Sequence, residues 1–258
     1  MIPKVIHYFW FGENPVPKSS MRCIESWKKH CPEYEIRVWN ESNYNYKKNV
    51  FITKAAQDKK WSFVSDYARL DVLYRYGGVY LDTDVELLKP LDPLLKYRGF
   101  FGFETDTLIN LGEGFGAEAS LPLLKQIMAI YDILEPVLSE DRYADFVCPK
   151  IQTPVFKAFG FRLNGKEQKI DNVVLLPKDA MCPLNYDTGE LNISANTYSV
   201  HWYHATWKSL ADRKVMQMQQ KLTPSLGKKW AGRFAVLIQY SRYKGVLETL
   251  KYYINKMK

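Results

Sequence analysis

The chain has little that would commit it to a membrane span, a disulfide scaffold or a disordered state. Nowhere in its 258 residues do roughly 18 or more apolar residues run together, which excludes a membrane-spanning helix. The opening stretch MIPKVIHYFWFG carries Lys4 as its single basic residue and shows no small-residue cleavage site, so it does not read as a secretory signal. A cytoplasmic protein is the expectation. Cysteine is scarce: Cys23, Cys31, Cys148 and Cys182 have neither zinc-site spacing nor the density of a disulfide framework, and read as free thiols. Internal repeats and low-complexity stretches are also lacking. With 47% hydrophobic and 25% charged residues the composition is that of a globular chain, and its length suits one domain with a small appendage.

The net charge of +8 is concentrated at one end. From Lys208 to Lys258 twelve basic residues face two acids, Asp212 and Glu248, which leaves the body before them slightly acidic. We therefore expect a catalytic body, 1–207, and a basic amphipathic helical tail, 208–258. In the tail, apolar residues such as Phe234, Val236, Leu237, Ile238, Val246, Leu247, Leu250 and Ile254 alternate with Lys229, Arg233, Arg242, Lys244, Lys251 and Lys256. Such a segment can lie flat on an anionic membrane surface, or can pack on the body as a helical pair with a solvated basic face.

Apolar patterning predicts strands at residues 3–10, 34–39, 79–81, 100–103, 173–176 and 198–202. It predicts helices at 19–31, 62–76 and 120–138, the last ending near Pro136, with Ser62 as the cap of the second and Gly77 and Gly78 as its stop. Strand, helix, strand is the opening of an α/β sheet with parallel crossovers. The short strand 79–81 delivers Asp82 and Asp84 to its carboxyl end, the edge at which such sheets bind ligands.

An Asp-x-Asp pair alone is weak, since with fourteen Asp roughly one is expected by chance. At a strand end the two carboxylates suit a hard divalent cation that keeps open positions for phosphate oxygens; elsewhere they are a solvated turn. Asp66 and Arg69, three apart on the preceding helix, face the same segment. An Arg there can grip a diphosphate and an Asp can accept from sugar hydroxyls, whereas the structural alternative is a helix ion pair.

SDYARLDVLYRYGGVYLDTD, residues 65–84, resembles the donor-sugar region of glycosyltransferase family 32. That family includes a yeast initiating mannosyltransferase, bacterial capsule enzymes and relatives in clostridial glucosylating toxins. IPKVIHYFWFG resembles the family's opening strand, CIESWKKHCPEYEIRVWNE its second unit, GFE at 102–104 its next strand and YSVHWYHATW at 198–207 its closing motif. The resemblance implies a GT-A fold, a mixed and largely parallel sheet flanked by helices. It further implies transfer of a hexose, with retention of configuration, from a UDP- or GDP-sugar to a glycan or lipid-linked glycan in capsular or cell-surface polysaccharide synthesis. By position, Trp10 would stack on the base, and Asp66, Arg69 and Tyr80 would contact the nucleotide sugar. Asp82 and Asp84 would bind manganese or magnesium, with His201 as further ligand and His204 as its runner-up. Trp207 would lie near the leaving phosphate and Asn110 near the donor sugar. The chain departs from the family at residues 151–154, Ile-Gln-Thr-Pro in place of a Gly-Pro step. Two other readings remain: LDTDV also resembles the first motif of haloacid-dehalogenase-type phosphatases, for which Asp141 and Asp145 are the nearest later acids, and the basic tail admits nucleic-acid binding.

Overall fold

A computed structural model describes residues 1–134, 147–205 and 210–244. By packing, the chain divides into one unit of Met1–Pro183 and Asn192–Trp202, and a second of Leu184–Leu191 and Tyr203–Lys258.

The first unit is built on a seven-stranded sheet. β1 (Val5–Phe9) pairs in parallel with β2 (Glu35–Trp39) on one side and with β3 (Gly78–Tyr80) on the other. After β4 (Val85–Leu87), which lies outside this sheet, β5 (Gly99–Gly102) and β6 (Phe115–Ala117) continue it, then β7 (Gln168–Ile170) and β8 (Val173–Leu176). The order is β2-β1-β3-β6-β5-β8-β7, with β6 and β7 antiparallel to their neighbours, so five of the seven strands run one way. This is the mixed, largely parallel sheet that the GT-A resemblance implies.

Alternation along the strands divides the core into two layers. Phe9, Tyr80, Phe101 and Leu175 face one side, and Ile6, Val79, Phe100 and Val174 the other. The first layer is covered by α2 (Val50–Gln57), α3 (Trp61–Tyr76), α4 (Pro122–Ile133) and α5 (Cys148–Ala158), the second by α1 (Lys18–His30) and the segment around α6 (Lys178–Met181). α3 is buried around most of its circumference: Val64, Ala68 and Val72 are buried as well as Phe63, Tyr67, Leu70 and Leu73, and Tyr74 is partly buried against the core. Being sheathed in this way, it carries Asp66, Arg69 and Asp71 into the interior.

Several local expectations are corrected. α3 starts at Trp61 after Lys60, and the hydroxyl of Ser62 does not cap it, because that residue is already inside the first turn. The helix expected over 120–138 runs as Pro122–Ile133, and Pro136 lies outside the described residues. Residues 151–154 fall inside α5, which holds Pro154 in its interior. The stop at Gly77 and Gly78 is as expected. Both have positive φ (65° and 110°), and a Cβ on Gly78 would stand 2.7 Å from the Val5 carbonyl oxygen, so the chain turns from α3 directly into β3 only with glycine here. His7 pins the same corner: its Nε2 lies 3.0 Å from the Gly77 oxygen and its Nδ1 accepts from Trp39 Nε1 at 3.0 Å. Burial holds it neutral, with its pKa lowered to about 4.

Away from the sheet, β4 pairs antiparallel with β9 (Ser199–His201), Val85 opposite His201. The second unit contains α7 (Leu210–Lys244), broken by a kink at Gly227. Of the tail residues expected to alternate, Val246, Leu247, Leu250, Ile254, Lys251 and Lys256 lie outside the described residues.

Candidate active site

Two helical turns of α3 and the Gly-Gly corner bring Asp66 and Arg69 against the end of β3. Arg69 ion-pairs with Asp66, its Nη1 lies 3.8 Å from Asp82 Oδ1, and its guanidinium sits 4.8 Å from the centroid of the Tyr80 ring. The Tyr80 hydroxyl donates to the same Asp82 Oδ1. Arg69 is 3% exposed and stays charged, the carboxylates of Asp82 and Asp66 overcoming its withdrawal from water. Burial pushes the Asp66 carboxyl up to about 6 against the pull of Arg69. The expected contact of this helix face with the 77–84 segment and the structural alternative, an ion pair within the helix, therefore coexist.

The second carboxylate looks the other way. Asp84 Oδ1 lies 3.2 Å from His201 Nε2, and the Asp84 carbonyl accepts from the Trp202 backbone N–H at 2.9 Å, which extends the β4–β9 pairing up to the site. Asp82, Asp84 and His201 each offer one ligand atom, all within 4.8 Å of one another. Two carboxylate oxygens and an imidazole nitrogen at such separations fit a divalent cation. The site's electrostatics point the same way: Asp84 and Asp82 push the His201 imidazole up to about 9 against its burial, so that its proton supplies the positive charge that the carboxylates attract. Asp82 is itself raised by burial and by Asp84, with Arg69 opposing.

A wall of the site was not anticipated. The 3-10 turn Leu111–Glu113 presses on the carboxylate pair so closely that a Cβ on Gly112 would stand 2.9 Å from Asp82 Oδ2 and 3.0 Å from Arg69 Nη1 and Asn110 Oδ1. Asn110 caps this turn through Gly112 N at 2.8 Å, donates to Glu104 Oε1 at 3.2 Å and accepts from the Cys148 thiol at 3.3 Å. The departing segment 151–154 buttresses the turn: Gln152 accepts from Leu111 N at 3.4 Å and Thr153 from Ile109 N at 3.0 Å. Glu113, fully buried, is held toward its neutral acid by burial and by the Glu104 carboxylate. A Gly-rich run between short strands was the one signal in the sequence that could have marked this wall.

Trp10 follows β1 at the same sheet edge, half-buried, its indole N–H donating to the Asn14 carbonyl at 2.5 Å. The structure thus brings together Asp66, Arg69, Tyr80, Asp82, Asp84, Asn110 and His201. His204 belongs to the second unit, and Trp207, like Asp141 and Asp145, lies outside the described residues.

Residues 17–101 match the family described as glycosyltransferase sugar-binding region containing DXD motif. Over these residues the chain is similar to the sugar-binding region of the DXD glycosyltransferases. Inositol phosphoceramide mannosyltransferase 1 of Schizosaccharomyces pombe is 31% identical over 136 residues, covering 48% of this chain and 41% of that protein. Inositol phosphoceramide mannosyltransferase 3 of the same yeast is 34% identical over 107 residues, 37% and 28% of the two chains. The chain thus spans about two fifths or less of the length of these curated relatives. Among solved structures it is similar to the PaToxG glycosyltransferase (TM-score 0.45, 16% identity, 62% of this chain and 69% of that one). It is also similar to the galactosyltransferase LgtC in complex with donor and acceptor sugar analogues (TM-score 0.41, 13% identity, 89% and 99%). The phosphatase and nucleic-acid readings find no support in these relatives.

Proposed function

We propose that this DXD glycosyltransferase moves a hexose, with retention of configuration, from a UDP- or GDP-sugar onto an acceptor glycan of a capsular or cell-surface polysaccharide. The observation that carries the reading is the buried Asp66–Arg69 pair set directly against the Asp82–Asp84–His201 cluster at the end of β3. The barrier in such a transfer is departure of a nucleoside diphosphate from an oxocarbenium-like carbon, so the main requirement is stabilisation of charge on the leaving group. Asp82, Asp84 and His201 would hold a divalent cation, which would supply Lewis-acid stabilisation of that diphosphate. Arg69, fixed by Asp66 and by the Tyr80 ring, adds a second positive charge without reorganising. Asp66 and Asn110 orient sugar hydroxyls and Trp10 takes the base; the role of Trp207 at the leaving phosphate rests on the resemblance alone. No protein base is needed, because the leaving oxygen can take the acceptor's proton on the same face of the sugar.

The relatives named as inositol phosphoceramide mannosyltransferases make mannose the first sugar to test and favour a lipid-linked acceptor. A cytosolic enzyme resting peripherally on an anionic membrane surface would meet such an acceptor directly. The test is cation-dependent hydrolysis across a panel of nucleotide sugars, comparing wild type with Asp84→Asn. Most turnover should vanish in the variant and on addition of chelator, with the circular dichroism spectrum unchanged. A folded Asp84→Asn protein that turns over donor at the wild-type rate in chelator would refute the metal mechanism.

A further inference from the structure

The second unit carries a surface that the sequence left ambiguous. Beyond the kink at Gly227, α7 turns Ala231, Ala235 and Gln239 inward, each four residues from the next and each buried. Gln239 Nε2 approaches Met218 Sδ at 4.0 Å, and a Cβ on Gly232 would lie 3.6 Å from the Gln219 side chain, so this face packs on the first half of the same helix. The helical pair thereby satisfies itself with small residues.

The opposite face should then be polar, and it is not. Trp230, Phe234 and Leu237 recur there at helical spacing and are 54%, 43% and 37% exposed. The Trp230 and Phe234 rings lie 6.4 Å apart, centroid to centroid, and the Arg233 guanidinium sits 5.3 Å over Trp230. Lys229 and Arg242 are exposed on the same half-helix, and so is Lys228, which ion-pairs with Asp187 at 2.9 Å. Over Leu210–Lys244 there are eight basic residues and one acid, Asp212. An apolar strip of large rings edged by cations matches an anionic lipid surface: the rings enter the headgroup boundary and the cations stay among the phosphates. A second copy of this chain would bring like charge against like.

We infer that Trp230, Phe234 and Leu237 form the edge by which the protein inserts into an anionic bilayer, flanked by Lys229 and Arg233. This rests on the membrane reading above and assigns it to one face of one helix. The experiment is flotation of the full-length chain with vesicles of phosphatidylglycerol and phosphatidylcholine, and of phosphatidylcholine alone, for wild type and a Trp230→Ser/Phe234→Ser/Leu237→Ser variant. Light scattering and circular dichroism are recorded on both proteins. Wild type should float with anionic vesicles only, more weakly at high salt, and the variant should partition about ten-fold less with an unchanged spectrum. A folded variant that floats as well as wild type would overturn the assignment of this face while leaving membrane binding in place. Wild type that floats with neither vesicle would overturn both, and donor hydrolysis would still report on the transferase reading. A wild-type dimer that the variant loses, or retention on single-stranded RNA in place of vesicles, would likewise overturn the inference.

Discussion

Cation binding should be strongly pH-dependent, and His201 sets the size of the effect. The neighbouring Asp84 and Asp82 push its imidazole up to about 9 against its burial, and Nε2 is engaged with Asp84 at 3.2 Å. A metal ligand must be the neutral imidazole, so the proton has to leave before the nitrogen can coordinate. At pH 7 this deprotonation lies about two pH units uphill, a cost on the order of 3 kcal/mol or roughly 100-fold in apparent affinity relative to pH 9. Raising the pH from about 6.5 to 8.5 should therefore strengthen Mn2+ binding about ten-fold per unit. The raised pKa of Asp82 acts in the same direction at the acid end. Folding stability without cation moves oppositely. The folded pKa of His201 lies above its ordinary value of 6.5, so its contribution is fully present below about 6.5 and is lost as pH rises through about 9, a change of about 3 kcal/mol. Calorimetric titration of Mn2+ under argon in non-coordinating buffers, on wild type and His201→Gln, measures the slope. A flat profile in wild type, or the same slope in His201→Gln, would show that this imidazole neither carries the proton nor binds the ion.

Arg69→Met keeps the volume but strands Asp66 and Asp82 without their cation, which should cost about 3–5 kcal/mol of stability in urea unfolding; a loss under 1 kcal/mol would mean that the pair contributes little to the fold. Trp10→Ala should weaken UDP or GDP binding roughly ten-fold, since base stacking is worth about 1–3 kcal/mol, and unchanged calorimetric affinity would make Trp10 a packing residue.

The part of the site that was legible in the sequence is the part built locally. Asp66, Arg69, Tyr80, Asp82 and Asp84 lie on one helix, one Gly-Gly corner and one strand end, so periodicity and turn chemistry placed them together. His201 was reached only through the resemblance, because nothing near it in sequence reveals that β9 pairs with β4. The wall at Leu111–Glu113 left only a Gly-rich run as its mark: the turn and the residues before it are held by Gln152, Thr153 and Cys148 on α5, a helix that the apolar patterning does not predict and that contains Pro149 and Pro154. Pro149 stands in the first turn, where no intrahelical donor is lost, while Pro154 is held within a helix packed on the core. Strands as short as Val85–Leu87 and Phe115–Ala117 offer three residues each, too few for alternation to register, and β6 pairs through small residues whose value is room for Phe100. Among the strands that were anticipated, β8 has the expected limits, β2 differs by one residue at one end and the others by one or two residues at both ends.

The β4–β9 ribbon makes the site a clasp. Its last strand returns from a point far along the chain: Trp202 Nε1 bonds Glu86 Oε2 at 2.8 Å across 116 residues of sequence, and the neighbouring pair puts His201 opposite Val85. During synthesis the carboxylate pair therefore emerges long before its imidazole, and everything from β5 to α6 has to be made before the clasp can shut. A chain interrupted anywhere in that interval would carry the Asp-x-Asp motif intact and still lack the third ligand. Once shut, a bound cation would tie the two ends of that long loop together, so the ion would act as a fastener for the fold as well as a participant in the chemistry.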